Sequence, residues 1–424
     1  MWNAVAMPVT LLLIASHLSP IEQGFYYSFA GVQGLAVLGE LGITFVIGQF
    51  AAHEYAGMRS ETNSDAEENR KHAARLASVL KLGLIWNIAT CLLCLTLLIP
   101  GGIYFFMSSK DNGAAEWALP WICFAIFSSL GMILAPVYAV LNGTGHIGDT
   151  SLIQFIQNTT GTLVTWGLLL FGFKLLAAVA LPMVAFLGGS AGILIMHRKT
   201  LQTILTGANE QIKVNYLGEL FPLQSKVAFS WIAGYVGFYL STPLIFHTMS
   251  PQVAGQFGMT SNLLQSVSGT AAIWVNTKAP VLAGLAARQD IHKLRRTFLS
   301  ASTRSFLVLF AGYLAVIIVA DTVILKSYFA FLSRLLSGEN LIILIVGYIL
   351  AHTYGLLNVY LRAFKDDPLF WVSIASALIS ALALQPTVLR FGVEGVAWLM
   401  VANNTICCLI AMRYFTSVKV EKAS

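Results

Sequence analysis

Residues 82–106 read LGLIWNIATCLLCLTLLIPGGIYFF, a run without a single charged side chain. A bilayer crossing needs about 20 consecutive, mostly apolar residues, so this run is long enough to span. The rest of the chain has the same character, with 57% hydrophobic and only 10% charged residues over 424 positions. Soluble domains carry about 25% charged residues. The sequence therefore predicts an all-α polytopic membrane protein and excludes an ordinary water-soluble domain.

About twelve such runs follow one another along the chain. The predicted spans are 5–18, 25–47, 82–106, 117–141, 152–171, 175–196, 227–246, 253–273, 300–320, 341–361, 369–389 and 393–412. If both termini lie in the cytoplasm, 18 of the 25 lysines and arginines fall on the inner face of the membrane and 5 on the outer face. The other two, Lys278 and Arg304, lie in or near spans. This excess matches the positive-inside rule and predicts that orientation. The net charge of +6 then follows from topology and indicates no nucleic-acid partner.

The two halves of the chain resemble each other at nearly constant offsets. The matching pairs of segments are 19–24 with 250–255, 138–142 with 354–358, and 179–185 with 396–402. Because these offsets span six helices, we expect two six-helix repeats related by a pseudo-two-fold axis along the membrane normal. The predicted division is an N-terminal lobe (1–196), a cytoplasmic linker (197–226) and a C-terminal lobe (227–424). Such a layout favours a substrate site between the halves near the midplane. The offset also places the start of the first span before Met1, so we expect a short or truncated first helix.

Ionisable side chains inside spans are costly and mark candidate functional sites. Glu40 is the deepest one, and Gln33 lies two turns earlier on the same face of an ideal helix. Glu40 is a candidate counter-ion or proton carrier, or a structural carboxylate between helices. Lys278 and Arg304 stand just inside the cytoplasmic boundary of consecutive spans. They are candidates to capture a diphosphate, although snorkelling to the interface would also explain them.

Polar residues also form stripes along the seventh and eighth predicted spans. Asn262, Gln265, Ser266 and Asn276 recur at helical spacing with Gly269, and an ideal helix places Lys278 opposite them. Pro280 is expected to kink this span. Tyr235 and Tyr239 lie on the preceding span. Amides and aromatic rings suit sugar contacts, although hydrogen bonds between helices would also account for these residues.

Several segments resemble the polysaccharide-transporter branch of the multidrug, oligosaccharidyl-lipid and polysaccharide exporter (MOP) superfamily, the Wzx-type O-antigen flippases. The resemblance rests on LSPIEQGFYY (18–27), ELG (40–42), QFAAHE (49–54) and TKAP (277–280). It implies twelve helices around a V-shaped, often cationic central cavity. It also implies movement of an undecaprenyl-diphosphate-linked oligosaccharide from the inner to the outer leaflet of the bacterial inner membrane. The short first helix departs from the family pattern.

Three functions follow from these observations. The leading one is flipping of lipid-linked oligosaccharides in polysaccharide biosynthesis, with possible coupling to protons or sodium. An alternative is a multidrug or cation antiporter of the same superfamily, which requires carboxylates rather than cations in the cavity. A membrane-embedded polysaccharide polymerase or glycosyltransferase is less favoured because the outer connectors are short. The sequence has no P-loop or metal-ligand spacing, so we expect no cofactor and no enzymatic activity. It leaves the oligomeric state open, a monomer included.

Overall fold

The computed structural model describes residues 2–58, 66–109, 115–206, 214–225, 227–228, 240–321, 333–364 and 368–421. Within these residues the regular structure is helical and contains no strand. The helices in chain order are α1 (Trp2–His17), α2 (Pro20–Gln33), α3 (Val37–Glu40), α4 (Ile43–Met58), α5 (Ala66–Met107), α6 (Ala118–Met132), α7 (Ala135–Gly143), α8 (Ile147–Leu170), α9 (Ala177–Thr206), α10 (Ser241–Thr248), α11 (Pro251–Asn276), α12 (Ala279–Ala287), α13 (Ile291–Asp321), α14 (Glu339–Arg362) and α15 (Phe370–Glu421).

Six of the described helices are long and apolar enough to cross a membrane, and the bent pair formed by α2–α3 and α4 would make a seventh. One of the six, α15, takes in both of the last two predicted spans. Its backbone leaves the helical conformation at Gly392, where φ is 60° and ψ is −142°. The all-helical, apolar character expected from composition is therefore confirmed, whereas the count of twelve spans and the two-repeat symmetry stay predictions.

The chain forms two compact units by contact. Unit 1 comprises Met1–Ser28, Ser109–Asp111 and Val236–Ser424, and unit 2 comprises Phe29–Ser108 and Asn112–Tyr235. The lobes predicted from the repeat follow chain order, whereas the contacts group the first helix with the C-terminal helices. The boundaries at 196 and 227 stay a prediction.

Each unit has its own hydrophobic core. In unit 2, Ile47 of α4, Leu80 of α5 and Val140 of α7 are buried together. In unit 1, Leu282 of α12 and Leu294 of α13 are fully buried in a second cluster. Removal of this apolar surface from contact with solvent stabilises each unit by roughly 25 cal/mol per Å².

The Ser-Pro turns that the repeat paired lie against each other inside unit 1. Ser19 and Glu22 form a capping box at the start of α2, with bonds of 2.7 and 3.1 Å. Ser250 caps α11 in the same way by accepting a hydrogen bond from the Val253 amide at 3.3 Å. A Cβ atom added to Gly24 would lie 1.9 Å from the Pro251 carbonyl oxygen. The two helices therefore cross with their backbones in contact, which only a residue without a side chain permits.

The predicted span 25–47 is broken rather than continuous. Leu41 and Gly42 have positive φ angles of 50° and 69°, which are incompatible with a right-handed helix. The helices on either side of this break are bent by 49°. The helical pattern is also interrupted at Ile133–Leu134 between α6 and α7 and at Thr277–Lys278 between α11 and α12, where the backbone keeps right-handed helical angles. Pro280 lies in the first turn of α12, and the kink expected from it stays a prediction.

Candidate functional site

Glu40 lies at the break between α3 and α4, where its carboxylate caps the following helix. One carboxylate oxygen accepts a hydrogen bond from the Gly42 amide at 2.8 Å, and the other accepts from the Thr44 amide at 2.9 Å. The side chain is buried, with 7% of its surface exposed. A carboxylate at a helix N-terminus satisfies backbone N–H groups that have no partner within the helix. This geometry gives Glu40 a structural task, and a role as proton carrier stays a prediction.

The other side of the same break is held by α5. The Gly39 carbonyl accepts hydrogen bonds from the Trp86 indole at 3.0 Å and from the Thr90 hydroxyl at 3.1 Å. These bonds use a carbonyl that the end of α3 leaves without a helical partner. The break is therefore a built feature of unit 2, secured on both sides.

Gln33 does not share a continuous helical face with Glu40, because a 3₁₀ turn at Gly34–Ala36 separates them. Its amide nitrogen donates to the Ser129 hydroxyl at 3.4 Å. The Gln33 side-chain oxygen is buried and has no hydrogen-bond partner among the described residues. A buried acceptor without a partner is costly, so this oxygen is available to a ligand or a water molecule.

Arg304 lies over an aromatic ring in unit 1, that of Trp274, and Lys278 lies near that ring in the sequence. The Arg304 guanidinium carbon is 5.8 Å from the centre of the Trp274 ring. Lys278 follows Trp274 by one helical turn and sits at the break between α11 and α12. All three side chains are exposed. A guanidinium on an aromatic face keeps its N–H groups free to bind oxygen atoms. Capture of a diphosphate by Arg304 and Lys278 stays a prediction.

The residues of the polar stripe on α11 differ in their hydrogen bonds and in their exposure. Gln265 donates to the Tyr348 hydroxyl of α14 at 3.3 Å, and Asn262 donates to the Gly258 carbonyl of its own helix at 2.8 Å. Ser266 is half-buried and Asn276 is exposed. Gln265 thus takes part in helix packing, whereas Asn276 is accessible. Tyr235 and Tyr239 lie outside the described residues, and cavity lining by all of these residues stays a prediction.

His352 is an intramembrane candidate that the sequence reasoning missed. It lies within the predicted span 341–361 and is buried, with 7% of its surface exposed. The Ser305 hydroxyl bridges the His352 ring at 2.9 Å and the Ala271 carbonyl at 2.7 Å. An ionisable side chain inside a predicted span was the available signal.

A second group that the sequence reasoning missed is an ionic network in unit 2. Arg75 binds Glu54 at 2.7 Å and Glu219 at 2.5 Å, and His72 contacts Glu54 at 2.7 Å. The hydrogen bond from Arg75 lowers the pKa of Glu219, and the same bonds raise the pKa of Arg75. Glu219 belongs to the predicted linker, so this network connects the linker to α4 and α5 within unit 2.

Among the described residues, no group of three or more His, Cys, Asp or Glu side chains is placed to hold a metal ion. The expectation that the protein uses no cofactor, and the identity of any coupling ion, stay predictions.

Comparison with known proteins identifies the fold. The chain is similar to an inward-facing multidrug resistance MATE family transporter of the MOP superfamily, at 14% identity and a TM-score of 0.60 over 99% of both chains. It is also similar to the lipid II flippase MurJ in an inward closed conformation, at 14% identity and a TM-score of 0.61, covering 99% of this chain and 86% of that one. An outward-facing MATE transporter matches at 14% identity and a TM-score of 0.54, covering 99% of this chain and 94% of that chain. No protein-family model matches the chain, and no curated protein matches it. These likenesses show an all-helical MATE- and MurJ-like fold.

Proposed function

We propose that this chain is a Wzx-type flippase that moves undecaprenyl-diphosphate-linked oligosaccharides from the inner to the outer leaflet of the bacterial inner membrane. The observation that carries this proposal is the exposed Arg304 guanidinium over the Trp274 ring, with the exposed Lys278 one helical turn after Trp274; we call Lys278 and Arg304 the cation pair. A fold shared with a structure described as a lipid II flippase supports the same reading.

The chemistry of the pair suits a diphosphate headgroup. Arg304 presents a planar fork of donors that binds two phosphate oxygens at once, and Lys278 adds a compact positive charge. The break between α11 and α12 sets Lys278 at a helix terminus rather than inside a regular turn. In the proposed cycle the pair captures the headgroup from the inner leaflet, alternating access carries it outward, and the lipid tail stays in the bilayer.

The second candidate is a multidrug or cation antiporter, which the MATE likenesses favour. A cationic drug needs an available carboxylate near its path. Both oxygens of Glu40 already accept backbone hydrogen bonds, while Lys278 and Arg304 are exposed. Because the carboxylate already has hydrogen-bond partners while the two cations are exposed, the arrangement favours an anionic cargo.

The test is deletion of the gene followed by analysis of lipid-linked intermediates. We expect unflipped repeat units to accumulate at the inner face and surface glycan to disappear. Normal surface glycan in the deletion strain would overturn the proposal.

Complementation then tests the cation pair. We expect Arg304→Gln and Lys278→Gln to reduce flipping by about tenfold or more, the effect of losing a charged hydrogen bond, at normal protein levels. Arg304→Lys should recover part of the activity, because it restores charge without the fork. Arg295→Gln is the matched control. Arg295 lies on the same helix as Arg304, and its guanidinium carbon is 5.6 Å from the centre of the Phe415 ring, but it lies outside the predicted span. Equal activity of the Arg304→Gln and Arg295→Gln variants would refute the role of the pair.

A further inference from the structure

A small cleft in unit 1 is distinct from the cation pair. Its volume is about 250 Å³, and it is lined by Pro20, Gln23, Gln252, Gln256, Ser333 and Arg334. Five of these residues come from the connectors after the first, seventh and ninth predicted spans, which the positive-inside rule predicts on the outer face, and Gln256 lies in the first turn of the eighth predicted span. The structure brings these segments together in one cleft.

Gln23 supplies a buried hydrogen-bond acceptor in this cleft. Its side-chain nitrogen donates to the Gly255 carbonyl at 2.9 Å, which fixes the orientation of the amide. The opposite atom, the oxygen Oε1, is buried and has no partner among the described residues. Only 1% of the Gln23 surface is exposed. A group that completes this site must therefore offer a donor to Gln23.

Arg334 supplies the complementary donor. Its Nη1 atom is buried and has no hydrogen-bond partner among the described residues. Burial lowers the pKa of Arg334, while the nearby Glu22 carboxylate opposes that shift. The Glu22 carboxylate thus interacts electrostatically with the guanidinium, which makes the cleft less selective for an anion than an isolated arginine would be.

The amides of the cleft add adaptable hydrogen-bonding groups. Gln256 donates to the Ser333 carbonyl at 3.1 Å, which leaves its side-chain oxygen as an acceptor. Gln252 is exposed at the rim. Pockets for drug-sized ligands span about 300–1,000 Å³, so this cleft has room for one small ring.

We infer that this cleft binds a single neutral sugar residue of the carbohydrate cargo at the outer face, an inference that rests on the proposed function. Neighbouring hydroxyl groups on a sugar ring donate and accept at once. One hydroxyl donates to Gln23 and another accepts from Arg334, so a vicinal pair satisfies both unpartnered atoms. The cleft then contacts the glycan after the headgroup has left the cation pair.

The test uses the full chain in lipid nanodiscs and saturation-transfer NMR. The probes are glucose, galactose and N-acetylglucosamine, with glucuronate as the anionic comparison and inorganic phosphate, which has no carbon-bound proton to observe, added as a competitor. We expect at least one neutral sugar to bind. Binding should weaken about tenfold in Arg334→Met, as expected for loss of a hydrogen bond to a charged group. Arg390→Met, which removes an exposed cation from another predicted outer connector, is the control and should bind like the wild type.

Gln256→Ala gives a second, milder variant that leaves the Gln23 contact with α11 unchanged, and its sugar binding should also weaken. Absence of binding by every neutral sugar, preferential binding of glucuronate or phosphate, or wild-type affinity in Arg334→Met would overturn the inference. The deletion experiment tests the proposed function independently of sugar binding in the cleft. Accumulation of unflipped intermediates without sugar binding defeats only the cleft, whereas sugar binding with normal surface glycan in the deletion strain defeats the proposed function.

Discussion

Replacement of Gly24 by alanine tests the backbone-to-backbone crossing of α2 and α11. The new Cβ would lie 1.9 Å from the Pro251 carbonyl oxygen, whereas Cβ atoms essentially never approach within 3.0 Å of a neighbouring atom. The helices must therefore separate by about 1 Å. A backbone oxygen cannot rotate away as a side chain can, so we place the cost at the upper end of overpacking, about 3 kcal/mol. The higher helix propensity of alanine returns about 1 kcal/mol.

The expected net loss is about 2 kcal/mol, roughly a 30-fold shift toward the unfolded state. Equilibrium unfolding in mixed micelles of dodecylmaltoside and SDS measures this change. Gly355→Ala is the control, because a Cβ added to that exposed helical glycine meets nothing within 4 Å, and it should be neutral or stabilising. Gly255→Ala, whose Cβ would lie 2.9 Å from the Gly24 amide nitrogen, should fall between the two. If Gly24→Ala unfolded at the same SDS fraction as Gly355→Ala, the crossing as described would be wrong.

Three further predictions concern Glu40, Arg75 and Glu219 in unit 2. Glu40→Ala should destabilise the protein by about 1 kcal/mol through loss of the cap, and Glu40→Gln by less, because one acceptor oxygen remains. Loss of transport in Glu40→Gln at unchanged stability would show instead that the carboxylate carries a proton. Arg75→Ala removes two bonds, one of them to Glu54, which is 2% exposed. We expect this substitution to lower the free energy of unfolding by on the order of 2 kcal/mol in the same assay. The control is Arg70→Ala at an exposed cation, and an equal loss in that variant would contradict the prediction. Because the pKa of Glu219 is lowered in the folded state, its stabilisation is complete above the ordinary glutamate pKa of about 4.3 and is lost as the pH falls below it. Wild-type stability should therefore decline more steeply than that of Glu219→Gln in that acidic window, and parallel curves would refute the assignment.

The sequence located several features that the structure then refined. Pro280 predicts a kink after Asn276 because proline lacks an N–H group and clashes with the preceding turn, and the structure shows the helical pattern interrupted at Thr277–Lys278. The sequence did not predict that Trp274 would lie under Arg304, because that contact joins α11 to α13. Glu40 was recognisable as a carboxylate within an apolar run, but an ideal-helix reading placed it on one face with Gln33. The 3₁₀ turn at Gly34–Ala36 removed that relation.

Apart from His352, which the sequence does mark as an ionisable residue within a predicted span, the missed groups share one physical cause. Arg75, Glu54 and Glu219 are far apart in the chain, and each reads as an ordinary charge in a solvated connector. Their pairing depends on α4, α5 and the linker meeting in space. Gln23 and Arg334 are separated even further, and their unpartnered atoms become visible only once the neighbouring helices have been placed.

The sequence by itself determined the all-helical, apolar character of the chain, and it predicts the spans and the sidedness of their connectors. These properties depend on local hydropathy and on the sum of charges, which do not require knowledge of contacts. The tertiary structure alone decided which glycine carries the helix crossing, which carboxylate is committed to a cap and which polar atoms lack a partner. Those are properties of distances between segments remote in sequence, and helical periodicity contains no information about them.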